Sequence, residues 1–184
     1  MKAKMAVVAV ALGALTRVAA AQGSMGGMQM GAPVADALRH TEQRQARNLV
    51  AALESVPVDK WGYKPTPAQM SFAEIAAHLA EGNDYLCGSV SGQTAPTRDK
   101  VTPADGKDKQ IARLKETFDF CESALAKLDD SKLGEEVPMF GGKATRAAAI
   151  LITVGDWEDH YSQLANYLRL NGILPPTAQP KKSM

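Results

Sequence analysis

The sequence predicts an all-α protein, a four-helix bundle. Apolar residues recur at intervals of three and four in four segments of about five turns each, the pattern of amphipathic helices. No segment has the alternating pattern of a convincing strand. The chain that follows the N-terminal leader is also of a length that suits one domain with a single core.

Residues 1–21 have the features of a secretory signal peptide, and we do not expect them to form part of the folded domain. Lys2 and Lys4 precede an apolar run over 5–15 that is too short for an anchored membrane helix. Small residues then offer a cleavage site, so we expect cleavage after Ala21. The mature protein is therefore predicted to be periplasmic or secreted, with no integral membrane segment.

Residues 22–33 follow as a predicted flexible leader, because glycine-rich segments gain little from ordering. The leader also contains three methionines, whose thioethers can bind Cu(I): Met25, Met28 and Met30. Copper handling is therefore an alternative interpretation of this segment. Residues 177–184, at the other end, are predicted to form a disordered tail.

The charge balance argues against a nucleic-acid partner. Cleavage after residue 21 removes three basic residues and no acidic ones, so the formal charge falls from +1 to about −2. Apart from Lys181 and Lys182, the remaining chain has no block of basic residues.

The first helix is predicted from Asp36, as its N-cap, to about Ser55. Its apolar face is formed by Leu38, Gln45, Leu49, Ala52 and Val56. His40 lies off this face and is interpreted as solvated. Prolines in the connection WGYKPTP end the helix, and we expect Trp61 and Tyr63 to pack at the edge of the core.

The second helix has the clearest start. Ser71 and Glu74 have the spacing of a capping box, in which each side chain pairs with the other residue's backbone N–H. The predicted apolar face consists of Phe72, Ile75, Leu79, Gly82 and Leu86. His78 lies at the edge of this face. The helix is predicted to fade near Val90, before a polar loop over 91–105.

The third helix has the most regular pattern in the chain. Its apolar positions are Ile111, Leu114, Phe118, Cys121, Leu125 and Leu128. We expect it to end around Asp129 or Asp130. The connection that follows, LGEEVPMFGGKAT, is predicted to contain a Gly-Gly turn.

The fourth helix is predicted from near Thr145 to Asn171. Its apolar side consists of Ile150, Val154, Trp157, Tyr161, Leu164 and Leu168. Gly172 can adopt the left-handed conformation that ends many helices, and the prolines at 175 and 176 prevent continuation.

Two cysteines, Cys87 and Cys121, follow the predicted signal peptide. In an oxidising compartment a disulfide is the leading interpretation. The alternative is a pair of buried free thiols that pack as small apolar groups.

Three polar side chains form a candidate metal site. Asp156 and His160 are four residues apart, and this spacing places them on one face of the fourth helix. With His78 from the second helix they would supply two imidazoles and one carboxylate, and zinc, nickel or iron each suits this ligand set. The alternative is an ordinary helical ion pair beside a satisfied histidine.

Two segments, SFAEIAAHLAEGNDYLC and DWEDHYSQLANYLRLNGILPP, resemble the DinB-like family of metalloenzymes. The resemblance implies a domain over residues 34–176 with helices in up-down-down-up order, the second and third parallel. It also implies a metal site of three histidines, one on the second helix and two on the fourth. His78 and His160 match two of these positions, and Asp156 occupies the third. The ligand set is therefore either a two-histidine, one-carboxylate variant or a decayed site.

The parallel order implied by the resemblance also bears on the cysteines. Cys87 and Cys121 lie at similar depths in their helices, and would sit side by side if these helices were parallel. The resemblance thus predicts a Cys87–Cys121 disulfide.

Two functions are consistent with the sequence and its resemblance. The first is an exported divalent-metal protein with hydrolase or thiol-transferase-type activity on an unknown small molecule, in which the ion activates a thiol or water. The second is a non-catalytic binding or assembly module with a vestigial metal site. A homodimer through one face of the bundle would fit either function.

Overall fold

The computed structural model describes residues 31–180, and within this range the chain is mostly helical, with four long α-helices and one two-stranded antiparallel sheet. In chain order the elements are α1 (Pro33–Glu54), α2 (Phe72–Ser91), α3 (Lys107–Leu125), β1 (Glu136–Met139), β2 (Gly142–Thr145) and α4 (Arg146–Leu170). Short 3-10 helices lie in two of the connections and in the segment that follows α4. The predicted signal peptide, the leader up to residue 30 and the tail from residue 181 lie outside the described residues.

The apolar faces of the four helices meet in one hydrophobic core. Every residue predicted for the faces of the first and third helices is buried, and Trp157 and Phe72 are the largest side chains that are completely buried. Trp61 is buried and Tyr63 is half-buried against this core, as expected. Burial of each large apolar side chain stabilises the fold by about 1.5–3 kcal/mol. Within residues 31–180, no helix is both long enough and apolar enough to span a membrane.

The start of α1 differs from its prediction. The helix begins at Pro33, and Asp36 lies in its first turn, not at the N-cap. The free backbone N–H groups of Val34 and Ala35 are instead satisfied by the carboxylate of Asp130, at 3.0 and 2.9 Å. Because this acceptor comes from a connection about a hundred residues away, local sequence rules place the cap on the wrong aspartate.

The third helix ends at Leu125, a few residues before the predicted end. Arg39 on α1 donates hydrogen bonds to the carbonyl oxygens of Leu125 and Leu128, at 3.1 and 3.0 Å. These bonds satisfy carbonyls that a helix end leaves free. Leu128 remains buried beyond the end of the helix, so the apolar pattern outlasts the helix itself.

The two strands correct the expectation that the chain contains none. β1 and β2 pair so that Met139 faces Gly142, and the two-residue turn between them has positive φ angles at Phe140 and Gly141. Such a turn matches the twist of a hairpin. Val137 and Met139 point into the core. Strands of only four residues, one of them containing Pro138, give too little alternation to be recognised in the sequence.

Cys87 on α2 and Cys121 on α3 form a disulfide, with their Cα atoms 5.2 Å apart and both residues completely buried. The pairing predicted from the resemblance is therefore present. A disulfide suggests a location outside the cytoplasm, where thiols are not kept reduced.

The chain beyond α4 packs back on the fold. Pro176–Ala178 forms a 3-10 helix, and the Tyr161 hydroxyl donates to Oγ1 of Thr177 at 2.8 Å and accepts its backbone N–H at 3.1 Å. The described part of the segment predicted as a disordered tail, 177–180, thus begins with a fixed turn.

Candidate metal centre

His78 is placed by a helix with a well-defined start. Ser71 accepts the backbone N–H of Glu74 at 3.2 Å, and Glu74 accepts that of Ser71 at 2.6 Å, which forms the predicted capping box. The hydrogen bonds from Ser71 lower the pKa of Glu74 to about 2. His78 follows about two turns later, on the side of α2 that faces α4.

Asp156 and His160 are placed by the middle of α4. Thr145 caps this helix by accepting the backbone N–H of Ala148 at 3.2 Å, and Gly172 follows its end with a φ of +73°. The start and the end therefore agree with the prediction. Since the two ligand candidates are one turn apart within this helix, they lie on the same face.

The structure brings all three predicted side chains together. One ligand atom from each of His78, Asp156 and His160 can be chosen so that all lie within 4.8 Å of one another. Oδ1 of Asp156 lies 3.8 Å from Nε2 of His78 and 3.5 Å from Nε2 of His160. The His78 side chain is 50% exposed, whereas that of His160 is 7% exposed. The group therefore opens to solvent on the His78 side.

The carboxylate between the imidazoles is held in its charged form. Burial alone would raise the pKa of Asp156. The contacts with His160 and His78 together outweigh this effect and hold the pKa well below its ordinary value. The contact with Asp156 raises the pKa of His78, against the opposing effect of burial. Asp156 is thus ionised at neutral pH, the form in which a carboxylate binds a cation.

The residues present fit a divalent ion. One buried carboxylate oxygen of the group, Oδ2 of Asp156, lacks a hydrogen-bond partner among the described residues. Buried polar atoms are nearly always satisfied by protein, water or an ion. In a tetrahedral centre with bonds of about 2.1 Å, ligand atoms lie about 3.4 Å apart. The 3.5 Å separation of Asp156 and His160 agrees with this spacing, and a half-exposed His78 has room to approach.

The comparison with protein families decides which family this fold represents. The DinB superfamily matches residues 41–164, which include α2, α3 and all three ligand candidates. The chain belongs to the DinB superfamily. The resemblance in the two segments around His78 and His160 is thereby confirmed.

Solved structures of DinB-like proteins have the same fold. One from Bacillus subtilis is 19% identical, with a TM-score of 0.62 over 79% of this chain and 99% of its own. One from Bacillus cereus is 12% identical, with a TM-score of 0.63 over 77% of this chain and 95% of its own. At these identities the similarity shows the fold alone. No curated protein matches the chain.

The sequence pattern misses one residue beside the candidate metal centre. It places Gly82 on the apolar face of α2, but Asn83 is the buried residue, with 1% of its surface exposed. Its amide oxygen accepts the indole N–H of Trp157 at 2.8 Å. The available signal was spacing, because Asn83 continues the row from Leu79 to Leu86 in steps of four and three.

Proposed function

We propose that this DinB-superfamily protein binds a divalent metal ion through His78, Asp156 and His160 and acts as a metal-dependent hydrolase or thiol transferase. The observation that supports this proposal is the convergence of three ligand atoms within 4.8 Å, from two separate helices. Zinc, nickel and iron each suit two imidazoles and a carboxylate, so the ligand set supports a transition metal without selecting one.

The chain's own residues would hold the ion and leave part of it accessible. Asp156 and His160 are largely enclosed by their neighbours, and His78 borders the solvent. Three protein ligands leave at least one coordination position free. A bound ion would polarise a thiol or water molecule at that position. We infer that an unknown small molecule, and not a nucleic acid, approaches from the His78 side.

The carboxylate makes this site electrostatically different from a set of three histidines. A divalent ion held by three neutral imidazoles keeps its two positive charges, whereas Asp156 neutralises one of them. A bound water or thiol is then activated less strongly, since its acidity follows the charge of the ion. Asp156 can be a ligand only if it stays ionised, and its lowered pKa meets this requirement.

The alternative function is a non-catalytic module with a vestigial site. In that case the three side chains would be expected to satisfy one another. The separations of 3.5 and 3.8 Å between Asp156 and the imidazoles are long for hydrogen bonds, and the buried Oδ2 of Asp156 lacks a partner among residues 31–180. These observations favour the metal site over the vestigial pair.

We also infer the helix order and the location of the protein. Contacts between α2 and α3 advance together along both helices, from Asn83–Thr117 to Cys87–Cys121, which supports a parallel pair. Between α2 and α4 they run in opposite directions, from His78–His160 to Val90–Arg146. This pattern supports an up-down-down-up bundle. The disulfide supports a periplasmic or secreted protein, released by cleavage of residues 1–21.

The metal content of the full-length mature protein tests this function. Protein purified without a histidine tag is expected to bind about one ion per chain when titrated with zinc, nickel or iron. The variant His160→Ala should lose more than about 100-fold in affinity, because losing a ligand exceeds the roughly 10–100-fold effect of losing an outer partner. His40→Ala is the matched control, since His40 is exposed on α1 and outside the site. Unchanged binding by His160→Ala would contradict the proposal.

A further inference from the structure

A buried amide joins three helices next to the candidate metal centre. Asn83 on α2 is 1% exposed, and its two polar atoms face Trp157 on α4 and Thr117 on α3, which are completely buried. A polar side chain at such a position is costly unless its hydrogen bonds are made. The position therefore requires a reason beyond packing.

Both polar atoms of the Asn83 side chain have a hydrogen-bond partner, and the bonds are directional. Its amide oxygen accepts the indole N–H of Trp157 at 2.8 Å, and its amide nitrogen donates to Oγ1 of Thr117 at 3.2 Å. Thr117 in turn donates to the carbonyl oxygen of Leu114 at 2.9 Å. Because the indole can only donate and the Thr117 proton is already used, the amide has one orientation that satisfies every partner.

The α3 side of this junction is anchored covalently. Cys87 lies one turn after Asn83 on α2 and is bonded to Cys121. The sulfur of Cys121 lies 3.6 Å from the backbone carbonyl oxygen of Asn83. A disulfide sulfur has no proton to donate, so this is a packing contact. The segment of α2 that carries Asn83 is thus fixed against α3 and offers a rigid support for α4.

The α4 side of the junction is part of the ligand-bearing turn. Trp157 directly follows Asp156 and precedes His160 by three residues. Its ring also packs on Phe118 of α3, with ring centroids 6.0 Å apart. The Asn83–Trp157 hydrogen bond therefore restrains how far α4 can rotate or slide relative to the helix that carries His78.

A small rotation would suffice to disturb the ligand set. An atom about 5–6 Å from the axis of a helix moves by about 0.5 Å when the helix turns by about 5°. Functional sites require their groups to be held within about 0.5 Å of the productive geometry. A restraint on α4 rotation at Trp157 is consequently a restraint on Asp156 and His160.

We propose that Asn83 is a positioning residue of the metal centre, which holds Asp156 and His160 in register with His78 by accepting the Trp157 indole N–H. This inference rests on the proposed metal site for its functional meaning. Its geometric content, the dependence of the ligand spacing on Asn83, does not require an ion.

The test compares Asn83→Leu, Trp157→Phe and the control Thr117→Val. The first two remove the bond between α2 and α4, and Trp157→Phe does so while an aromatic ring remains. Thr117→Val removes the bond from Asn83 toward α3, together with the bond from Thr117 to Leu114 within α3, and keeps the bond between Asn83 and Trp157. We expect the first two variants to lower Zn²⁺ affinity about 10–100-fold and to alter the Co²⁺ absorption spectrum. Thr117→Val should lose stability and keep its metal affinity within about threefold.

Crystal structures of the metal-free variants separate this inference from the proposed function. The separation of His78 Nε2 and Asp156 Oδ1, 3.8 Å here, is expected to change by about 0.5 Å or more in Asn83→Leu and Trp157→Phe. A separation unchanged within about 0.2 Å in both variants would overturn the positioning role, even if the wild-type protein bound no metal. Equal losses of affinity in Thr117→Val and Asn83→Leu would also overturn it, because the effect would then follow stability.

Discussion

The Cys87–Cys121 disulfide should contribute a large part of the stability of this fold. It closes a loop with a sequence separation of 34 residues, which contains the end of α2, the polar loop and most of α3. In the chain-entropy treatment a loop of this length restricts the unfolded state by about 4 kcal/mol. Since domains are typically stable by about 5–15 kcal/mol, the bond accounts for a substantial share of that margin.

Two perturbations remove the bond in different ways. Treatment with a dithiol reductant converts the disulfide to two thiols and leaves the buried volume almost unchanged. The double substitution Cys87→Ala, Cys121→Ala also removes the sulfur atoms from the core, where both residues are completely buried. We expect reduction to cost about 4 kcal/mol and the double variant to cost somewhat more, because a cavity is added.

Urea unfolding followed by far-ultraviolet circular dichroism measures both effects. The midpoint should fall on reduction, and a slope that rises at the same time would report a more expanded unfolded state. The double variant serves as the control, because reductant should leave its midpoint unchanged. If the oxidised and reduced wild-type proteins had the same free energy of unfolding, the entropic reasoning would be refuted.

Substitutions at two further residues test one acidic side chain away from the site and one within it. Burial, and to a smaller extent the nearby Glu122, raises the pKa of Glu42 from 4.5 to about 7. The folded state therefore holds this proton more tightly than the unfolded state, and the resulting stabilisation is complete below about pH 4.5 and lost as the pH rises through about 7. The free energy of unfolding of Glu42→Gln, relative to wild type, should therefore increase by up to about 3 kcal/mol between pH 5 and pH 8. If urea unfolding gave the same difference between the two proteins at both pH values, this prediction would be contradicted. At the candidate centre, Asp156→His should retain zinc binding in a calorimetric titration, whereas Asp156→Leu should lose it, and zinc binding by Asp156→Leu at wild-type affinity would exclude Asp156 as a ligand.

Helix positions could be predicted because they depend on local patterns. The spacing of apolar residues and the caps at Ser71 and Thr145 involve residues within a few turns of one another, and the structure agrees with them. The cap of α1 could not be predicted, because its acceptor is Asp130, which approaches only after the chain has folded. The end of α3 could not be predicted for the same reason, because the Arg39 side chain that bonds to the carbonyl oxygens there belongs to α1, which is distant in the sequence.

The candidate site was predictable in its residues and not in its surroundings. The four-residue spacing of Asp156 and His160 follows from helical geometry, and His78 was a candidate from its place at the edge of an apolar face. The resemblance to a known family then implied that the helices carrying these side chains bring them together. Asn83 and Glu42 were missed because both are polar residues within buried rows, at 1% and 3% exposure. A pattern that counts apolar residues passes over such positions, although their spacing relative to apolar neighbours is regular.

His78 and His160 lie between two fixed contacts of α2 with α4, and Asp156 directly precedes one of them, at Trp157. On one side Phe72 packs edge-on against Tyr167, with ring centroids 5.6 Å apart, and on the other Asn83 accepts the Trp157 indole. The backbones at His78 and His160 are therefore restrained from both directions, even though the His78 side chain is half exposed. In the proposed centre, rotation of the half-exposed His78 side chain is then the least restrained way to open the site, and it would separate the His78 and His160 rings, whose centroids lie 4.8 Å apart. We therefore propose that metal enters on the His78 side, whereas Asp156 and His160 form the more enclosed pair of ligands.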